Sequence, residues 1–526
     1  MKDLGGFSIS NSTSTTMMVI FAIYSVLIVG FGLFVKYKSR NEKGGKLASF
    51  LTGGGGLGAF SIAMIAATNS MAGGTMLGAP GLTYAVGFAT GIIYYPGFLT
   101  AAFGLGSVGR KAAILRARTG AISFVQLLRL RFNSKVFSGA MAITGATFLM
   151  FFAVGQISLG AKAFAVATGS GQYYFGLLLT VIVTIIYTLS GGIKSLAKVA
   201  VVQGVIMLIS VLMIAIVLLS KNAATYGSLE AALRTAAETK PSLVLADAWG
   251  FWQSLGLAIF GGVGLGCIPH ALSVTLTYND HYKLARGAMI SCIVFTVCQG
   301  IMCMIGPWTY ALNPNIQSAD YTTMYVATNL LPSWLGGIIF CGVFAAIQSS
   351  IAGVCMAGAA HLSKDFIVDC LMPNASDEKA AKLNNVMVLV VAAVAVAIAW
   401  FPSPLTQMVI NFAVGALASA WYIPVFMGFY WKKATSTGAS ASVILGALTY
   451  ITLYLVSTNP ATKPWWVANM GNINPFLISI IVSFLGMYVG SLLTPNKKSP
   501  LGVYQVWFCE DYDEKYSSLD YSKSSN

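Results

Sequence analysis

Two neighbouring hydroxyl groups, those of Ser349 and Ser350, lie deep inside an apolar stretch of the sequence, directly after residues 345–348. Adjacent hydroxyls and a backbone carbonyl three or four residues earlier can face one point beside a helix. Neutral oxygens of this kind are ligands that membrane transporters use for sodium. The alternative is that both serines donate to carbonyls of their own helix. These residues alone leave both interpretations open.

A second stretch could supply further oxygen atoms. Residues 65–81 form part of an apolar run, yet they contain Thr68-Asn69-Ser70, several glycines and Pro80. Glycine and proline weaken a helix, and a broken helix persists in a bilayer only where its freed N–H and C=O groups meet protein, water, ion or substrate. We therefore expect a discontinuous transmembrane helix, such as those that bind substrate and ion in secondary transporters. A Gly-rich packing helix is the alternative.

A third stretch repeats this pattern further along the chain. Residues 260–270 contain four glycines and Pro269 before His270, again within an apolar run. This second interruption falls five predicted spans after the first. Paired interruptions at corresponding positions indicate a transporter built from two inverted repeats.

The composition defines the environment of these stretches. The 526 residues are 56% hydrophobic and 9% charged, with a mean hydropathy of +0.76, whereas soluble chains carry roughly 25% charged residues. The sequence thus predicts an all-α polytopic membrane protein with about thirteen transmembrane helices. Lysines and arginines concentrate in alternate loops, which predicts an N-terminus outside and a C-terminus in the cytoplasm. This distribution accounts for the net charge of +15 without nucleic acid.

Other classes of protein find little support. The eight cysteines form no CxxC pair, so neither a metal site nor a disulfide framework is expected. No constellation of acid, base or metal ligands points to an enzyme. We expect the lipid bilayer as surroundings and no nucleic-acid partner.

The predicted spans divide the chain into six parts. These are residues 1–53 with an extra N-terminal helix and the first inside loop; 54–219, the first five-helix repeat with its broken helix at 54–79; 220–249, an outside amphipathic loop; 250–430, the second five-helix repeat with its broken helix at 250–276; 431–494, two additional C-terminal helices; and 495–526, a cytoplasmic tail.

Four segments resemble the sodium:solute symporter family, and most closely its pantothenate permease and monocarboxylate branch. They are residues 66–81, 191–204, 266–270 and 345–365. Gln156 and Lys162 also stand where that permease has glutamine and arginine. The resemblance implies a leucine-transporter architecture with an inverted five-plus-five repeat, located in the cell inner membrane. It implies symport of a small organic anion, a monocarboxylate or a pantothenate-like molecule, with Na+ as coupling ion and no other cofactor or metal.

The same resemblance implies which residues bind the ion and the solute. For sodium they are the carbonyls of Thr68, Met71 and Ala346 and the hydroxyls of Ser349 and Ser350. For the substrate they are Asn69, Ser70, Gly74, Thr75, Gln156, Lys162, Gly261 and Asn411. Lys162 would pair with a substrate carboxylate, and its alternative role is to snorkel to the outer surface.

Two departures from the family pattern qualify this expectation. An aspartate found in many members is replaced by Ala200, and two serines of members with a second sodium site are replaced by Ala352 and Gly353. We therefore expect one sodium ion. Lys198, two residues before Ala200, could act as a tethered coupling cation or simply snorkel. A sodium-independent or proton-coupled carrier of the same fold thus stays open, as does a non-transporting sensor.

Overall fold

The computed structural model describes residues 2–3, 5–38, 59–245, 249–262, 264–276, 281–495 and 501–509. The side chains of Asn69, Ser70 and residues 190–195 lie outside this description. So do most of the predicted first inside loop and the end of the predicted tail.

The described residues form helices that we number in chain order. They are α1 Asn11–Lys38, α2 Ala59–Ser70, α3 Ala79–Ala85, α4 Gly97–Ala101, α5 Arg110–Thr119, α6 Phe124–Phe132, α7 Lys135–Ala167, α8 Tyr173–Tyr226, α9 Leu229–Thr239, α10 Phe251–Gly262, α11 Pro269–Thr275, α12 His281–Leu312, α13 Thr322–Asn329, α14 Ser333–Ala360, α15 Asp377–Ala399, α16 Thr406–Tyr430, α17 Ser436–Thr458, α18 Lys463–Met470, α19 Pro475–Leu493 and α20 Leu501–Phe508.

Shorter segments connect or extend these helices. Wider π-helical turns occupy Gly74–Gly78, Ala102–Gly109 and His361–Leu371, and 3-10 turns occupy Phe88–Ile93, Pro241–Leu243, Gly264–Cys267 and Ala319–Tyr321. A small antiparallel pair joins β1 Lys2–Asp3 to β2 Ser8–Ile9.

The helical content confirms the predicted class of fold. The described residues are 85% helical, and eleven of their helical stretches are long and apolar enough to cross a membrane. The expected count of about thirteen is not fixed by this finding, because α2 and α3 have only 12 and 7 residues and neither can span a bilayer alone.

The sequence also predicts two spans, 173–190 and 196–219, which meet near Gly191-Gly192, but the helical backbone is continuous there. Helix α8 runs for 54 residues, and a straight helix of that length would extend about 81 Å, more than two bilayer cores. Yet Thr180 packs on Gly160, which also faces Ile347 of α14, and the Ser210 hydroxyl lies 3.3 Å from the Ile338 carbonyl of the same helix. Positions 30 residues apart in α8 thus lie near one short part of α14, so α8 bends between them.

The two predicted interruptions position the site. Helix α2 ends at Ser70, and the chain continues through Met71 and Ala72 into the π-helical turn that leads to α3. Helix α10 ends at Gly262, and a 3-10 turn precedes α11, whose first residue is Pro269. Proline suits this first helical position because it has no N–H to leave unpaired.

Part of the predicted tail packs against the membrane helices. In α20, Val506 and Trp507 are buried, and the Arg118 guanidinium donates to the carbonyls of Val506 and Cys509 at 2.9 and 3.3 Å. Cations suit the carboxyl end of a helix because its carbonyls lack partners. The segment from Leu501 to Cys509 is therefore held against α5.

Candidate functional site

The expected sodium ligands come from the end of α2 and the middle of α14. The Ser349 hydroxyl donates to the Ala346 carbonyl at 3.0 Å and lies 3.5 Å from the Thr68 carbonyl. The first contact is the own-helix bond of the alternative interpretation. The second links two separate helices. Three of the five expected groups therefore meet at one point.

Ser350, the residue after Ser349, carries a buried hydroxyl. It is 1% exposed, and its hydroxyl has no hydrogen-bond partner. A buried hydroxyl without a partner costs free energy, and such groups in a native fold call for an explanation. A cation beside Ser349 would supply it. Met71, the fifth expected ligand, is buried in the break directly after α2.

Gln156 of α7 holds the other side of the break. Its Oε1 accepts the N–H of Gly73 at 2.8 Å, which satisfies a donor that the interrupted helix leaves free. A Cβ atom on Gly73 would lie 2.8 Å from Gln156 Oε1 and 2.6 Å from Ile347 Cγ1. Glycine therefore permits this close approach. The Nε2 of Gln156 is buried without a partner.

Gln407 and Asn411 of α16 face the same turn. The Gln407 Nε2 donates to Asn411 Oδ1 at 2.8 Å, while Gln407 Oε1 is buried without a partner. A Cβ atom on Gly74 would lie 2.9 Å from this oxygen, and one on Gly78 would overlap with it. The turn, α7 and α16 thus enclose an unpaired donor on Gln156 and an unpaired acceptor on Gln407.

Lys162 lies near the C-terminal end of α7 and forms a buried ion pair. Its ammonium donates to Asp320 Oδ2 at 2.6 Å, to the Ser403 carbonyl at 2.6 Å and to Thr406 Oγ1 at 2.9 Å. Lys162 is 7% exposed and Asp320 1%. The backbone N–H and hydroxyl of Thr406 also donate to Asp320 Oδ2, at 3.1 and 2.8 Å. In this arrangement Lys162 neither snorkels nor presents a free donor.

Comparison with known proteins shows to which family the chain belongs. The sequence pattern of the sodium:solute symporter family matches residues 50–446, more than half of the chain. The chain belongs to the sodium:solute symporter family. The resemblance inferred from the sequence motifs is therefore confirmed.

Relatives of this symporter cover nearly its whole length. The sodium/pantothenate symporter of Escherichia coli is 26% identical over 90% of this chain and 96% of its own. The sodium/proline symporter of Haemophilus influenzae is also 26% identical, over 85% of this chain and 90% of its own. Pantothenate relatives agree with the expected branch, but these identities do not separate it from the proline carriers.

Solved structures share the fold of this symporter. A Na+-coupled sialic acid symporter aligns with a TM-score of 0.71 at 16% identity, over 92% of this chain and 98% of that one. A nucleobase-cation-symport-1 family transporter aligns with a TM-score of 0.56 at 15% identity, over 86% and 97%. These likenesses confirm the leucine-transporter architecture with its inverted repeats.

The remaining expected substrate residues of the symporter are not all gathered at the turn. Thr75 is buried within it, and Asn69 and Ser70 precede it. Gly261 packs elsewhere: a Cβ atom there would overlap with the Ile93 carbonyl, and the Gly261 carbonyl accepts the Thr100 hydroxyl at 2.9 Å. Its role in substrate binding stays a prediction.

Lys198 and Ala200 lie on α8 near the start of the broken helix. Ala200 belongs to a small buried cluster with Ile65 of α2 and Leu284 of α12, so the position of the family aspartate is close to the interruption. Lys198 is half-buried. Its coupling role stays a prediction. If Lys198→Ala takes up substrate at an unchanged rate and with unchanged ion dependence, this role is wrong.

Sequence reasoning missed Gln407 and Asp320. Asp320 lies in a loop outside every predicted span, yet Lys162 inside a span requires a counter-charge, and this requirement was a usable signal. Gln407 lies one helical turn before Asn411, where side chains share a face. That spacing could have identified it once Asn411 was chosen.

A pair of glycine substitutions tests the contact between Gln407 and the turn. We expect Gly78→Ala to displace Gln407 and break its bond to Asn411, raising the KM of transport about tenfold. Gly106→Ala is the matched control, because a Cβ atom there meets nothing within 4 Å. Both variants are compared by initial uptake rates over a range of substrate concentrations. Equal KM values would show that Gln407 does not shape the substrate site.

Proposed function

We propose that this protein is a sodium-coupled symporter that carries a small organic anion by alternating access. The observation that carries the proposal is the meeting of the Ser349 hydroxyl with the Thr68 carbonyl beside the unpaired hydroxyl of Ser350. One sodium ion at this point would be held by both the broken span and α14. We propose the cell inner membrane as its location, with the N-terminus outside, and no catalytic reaction.

Sodium can drive transport only if it binds one conformation more tightly than another. A ligand set divided between α2 and α14 meets this requirement, since any movement that separates the two helices removes ligands. Thr68 and Met71 also lie directly before the turn that bears Gly73 and Gly74. Sodium would therefore favour the arrangement in which this turn is ordered for the substrate.

The substrate side of the proposal rests on groups that have no partner. A carboxylate would accept from Gln156 Nε2, and a hydroxyl or amide N–H of the same solute would donate to Gln407 Oε1. A molecule of the pantothenate type offers both kinds of group. The start of the half-helix at Gly73 also favours an anion, because discontinuous helices direct their positive dipole ends at anionic substrate groups.

The test is uptake of labelled carboxylates into proteoliposomes that contain the purified protein. A panel of monocarboxylates, pantothenate and proline would be offered with and without an inward sodium gradient. We expect accumulation of at least one carboxylate only with the gradient. Uptake that ignores sodium but follows a pH gradient would favour the proton-coupled carrier, and accumulation of proline alone would contradict the choice of an anion.

A further inference from the structure

A second buried ionisable pair lies at the C-terminal end of α14, where the helix continues as a wider π-helical segment. His361 begins the π-helical segment His361–Leu371, and its Nδ1 lies 2.8 Å from Asp365 Oδ2. The side chains are 2% and 0% exposed. Ionisable groups buried in membrane helices are functional by default, and π-helical turns occur frequently at functional sites. Neither the sodium site nor the substrate site uses this pair.

The surroundings of the pair come from several elements. The Ser123 hydroxyl, at the start of α6, donates to Asp365 Oδ1. The indole of Trp421, on α16, lies 5.3 Å from the imidazole between ring centroids. Helix α7 contributes Gly145, where a Cβ atom would lie 2.8 Å from both His361 Cδ2 and Trp421 Cζ2. The contact thus joins α14 to three elements at one end of the bundle.

The other charged groups nearby are engaged with one another. Asp369, one turn beyond Asp365, pairs with Lys364 and lies 3.7 Å from the Arg129 guanidinium. Helix α15 presents Asn384, whose Oδ1 accepts the Ser363 hydroxyl at 2.9 Å. In the described structure, Asp365 is the carboxylate paired with His361. That carboxylate and the Trp421 ring are therefore the groups that contact the imidazole.

The geometry points to a proton-binding site formed by His361 and Asp365, which, in the orientation proposed above, responds to cytoplasmic pH and controls the packing of α14 against α6, α7 and α16. A proton on the imidazole gains a charge-assisted hydrogen bond to Asp365 and a cation–π contact with Trp421 in the packed arrangement. An opened arrangement replaces both with water. A proton bound by the pair therefore stabilises the packed state, and its loss at higher pH releases that state.

One atom of the His361 imidazole disfavours the packed arrangement. Its Nε2 is buried and has no hydrogen-bond partner. This unpaired atom lowers the stability of the packed arrangement, whether the nitrogen is an acceptor or a donor. Ser350 lies eleven residues earlier on α14, about 17 Å along the axis, so movement at this end can reach the sodium ligands through one helix.

Cys370 offers a native reporter of this movement. It is half-buried in the π-helical segment, with its thiol 3.6 Å from the Ser138 hydroxyl of α7. Labelling by a membrane-impermeant maleimide would be measured in inside-out vesicles from pH 5.5 to 8, in a background with Cys292→Ser and Cys509→Ser. The rate is divided by that of H361Q at each pH, which cancels the ionisation of the thiol itself.

We expect this ratio to rise about fivefold between the two pH limits, which corresponds to roughly 1 kcal/mol in favour of the opened arrangement. Asp365→Asn, measured without the histidine change, should move the midpoint toward lower pH because the imidazolium loses its carboxylate. It also keeps the test informative if H361Q does not reach the membrane. His281→Gln is the control and should follow the wild-type profile. A flat ratio, an unmoved midpoint in Asp365→Asn or a profile lost in His281→Gln would overturn the assignment.

Discussion

Ser350→Ala should lower sodium affinity about tenfold and reduce sodium-driven uptake, while the protein without sodium becomes no less stable. The hydroxyl is buried and unpaired, so its removal relieves an uncompensated polar group in the absence of sodium. In the presence of sodium the same change removes a ligand, worth about 1.5 kcal/mol or tenfold in affinity. Combination with Ser349→Ala should bring the loss to about a hundredfold.

The measurement is the sodium concentration that gives half-maximal uptake, together with the melting temperature at zero and saturating sodium. Ser440→Ala is the matched control, because the Ser440 hydroxyl donates to the Ser436 carbonyl in its own helix at 2.8 Å. The control should keep the wild-type sodium dependence. Stabilisation of Ser350→Ala by sodium equal to that of the wild type would remove Ser350 from the ligand set.

Lys162→Met and Asp320→Asn should each destabilise the protein strongly, and the double variant should recover at least half of the loss. Each single change leaves a buried charge without its partner, which costs about 3–5 kcal/mol. The double variant leaves neither charge. We expect this pattern because the Lys162 ammonium has three partners within 2.9 Å. Thermal unfolding in detergent measures all three variants.

Uptake by the same variants separates this account from a direct role of Lys162 in substrate binding. If the ammonium pairs with the substrate carboxylate, Lys162→Met loses uptake without losing stability, and Asp320→Asn does not rescue it. Arg234→Ala is the control, since the Arg234–Glu230 pair is 78% and 74% exposed and surface pairs contribute little. Its melting temperature should not change.

The features that follow from local chemistry were predictable from the sequence. Glycine and proline interrupt a helix wherever they fall, so the breaks after Ser70 and at Pro269 could be read directly. The high hydrophobic and low charged content likewise predicted a helical membrane protein, because only long apolar helices can cross a bilayer with their backbone groups paired. The boundary at Gly191-Gly192 could not be read in this way, because a glycine pair can kink a helix while the helical segment continues on both sides of it.

The polar contacts between distant elements required the structure. The sequence identified Gln156 and Asn411, yet it could not show that Gln156 accepts the Gly73 N–H or that Gln407 lies against Gly78. Such contacts depend on how helices pack, which hydropathy does not encode. Lys162 signals that a counter-charge is needed, but the sequence does not show that this charge is Asp320, 158 positions away.

The most direct test of sodium coupling at this site is equilibrium binding of radioactive sodium to the purified protein. We expect one ion per chain with a Hill coefficient near one, because the positions of the family's second site are Ala352 and Gly353. Binding should be lost when Ser349 and Ser350 are both alanine and retained in Ser440→Ala. A Hill coefficient clearly above one would contradict the single site. Unchanged binding without the two hydroxyls would contradict the site itself.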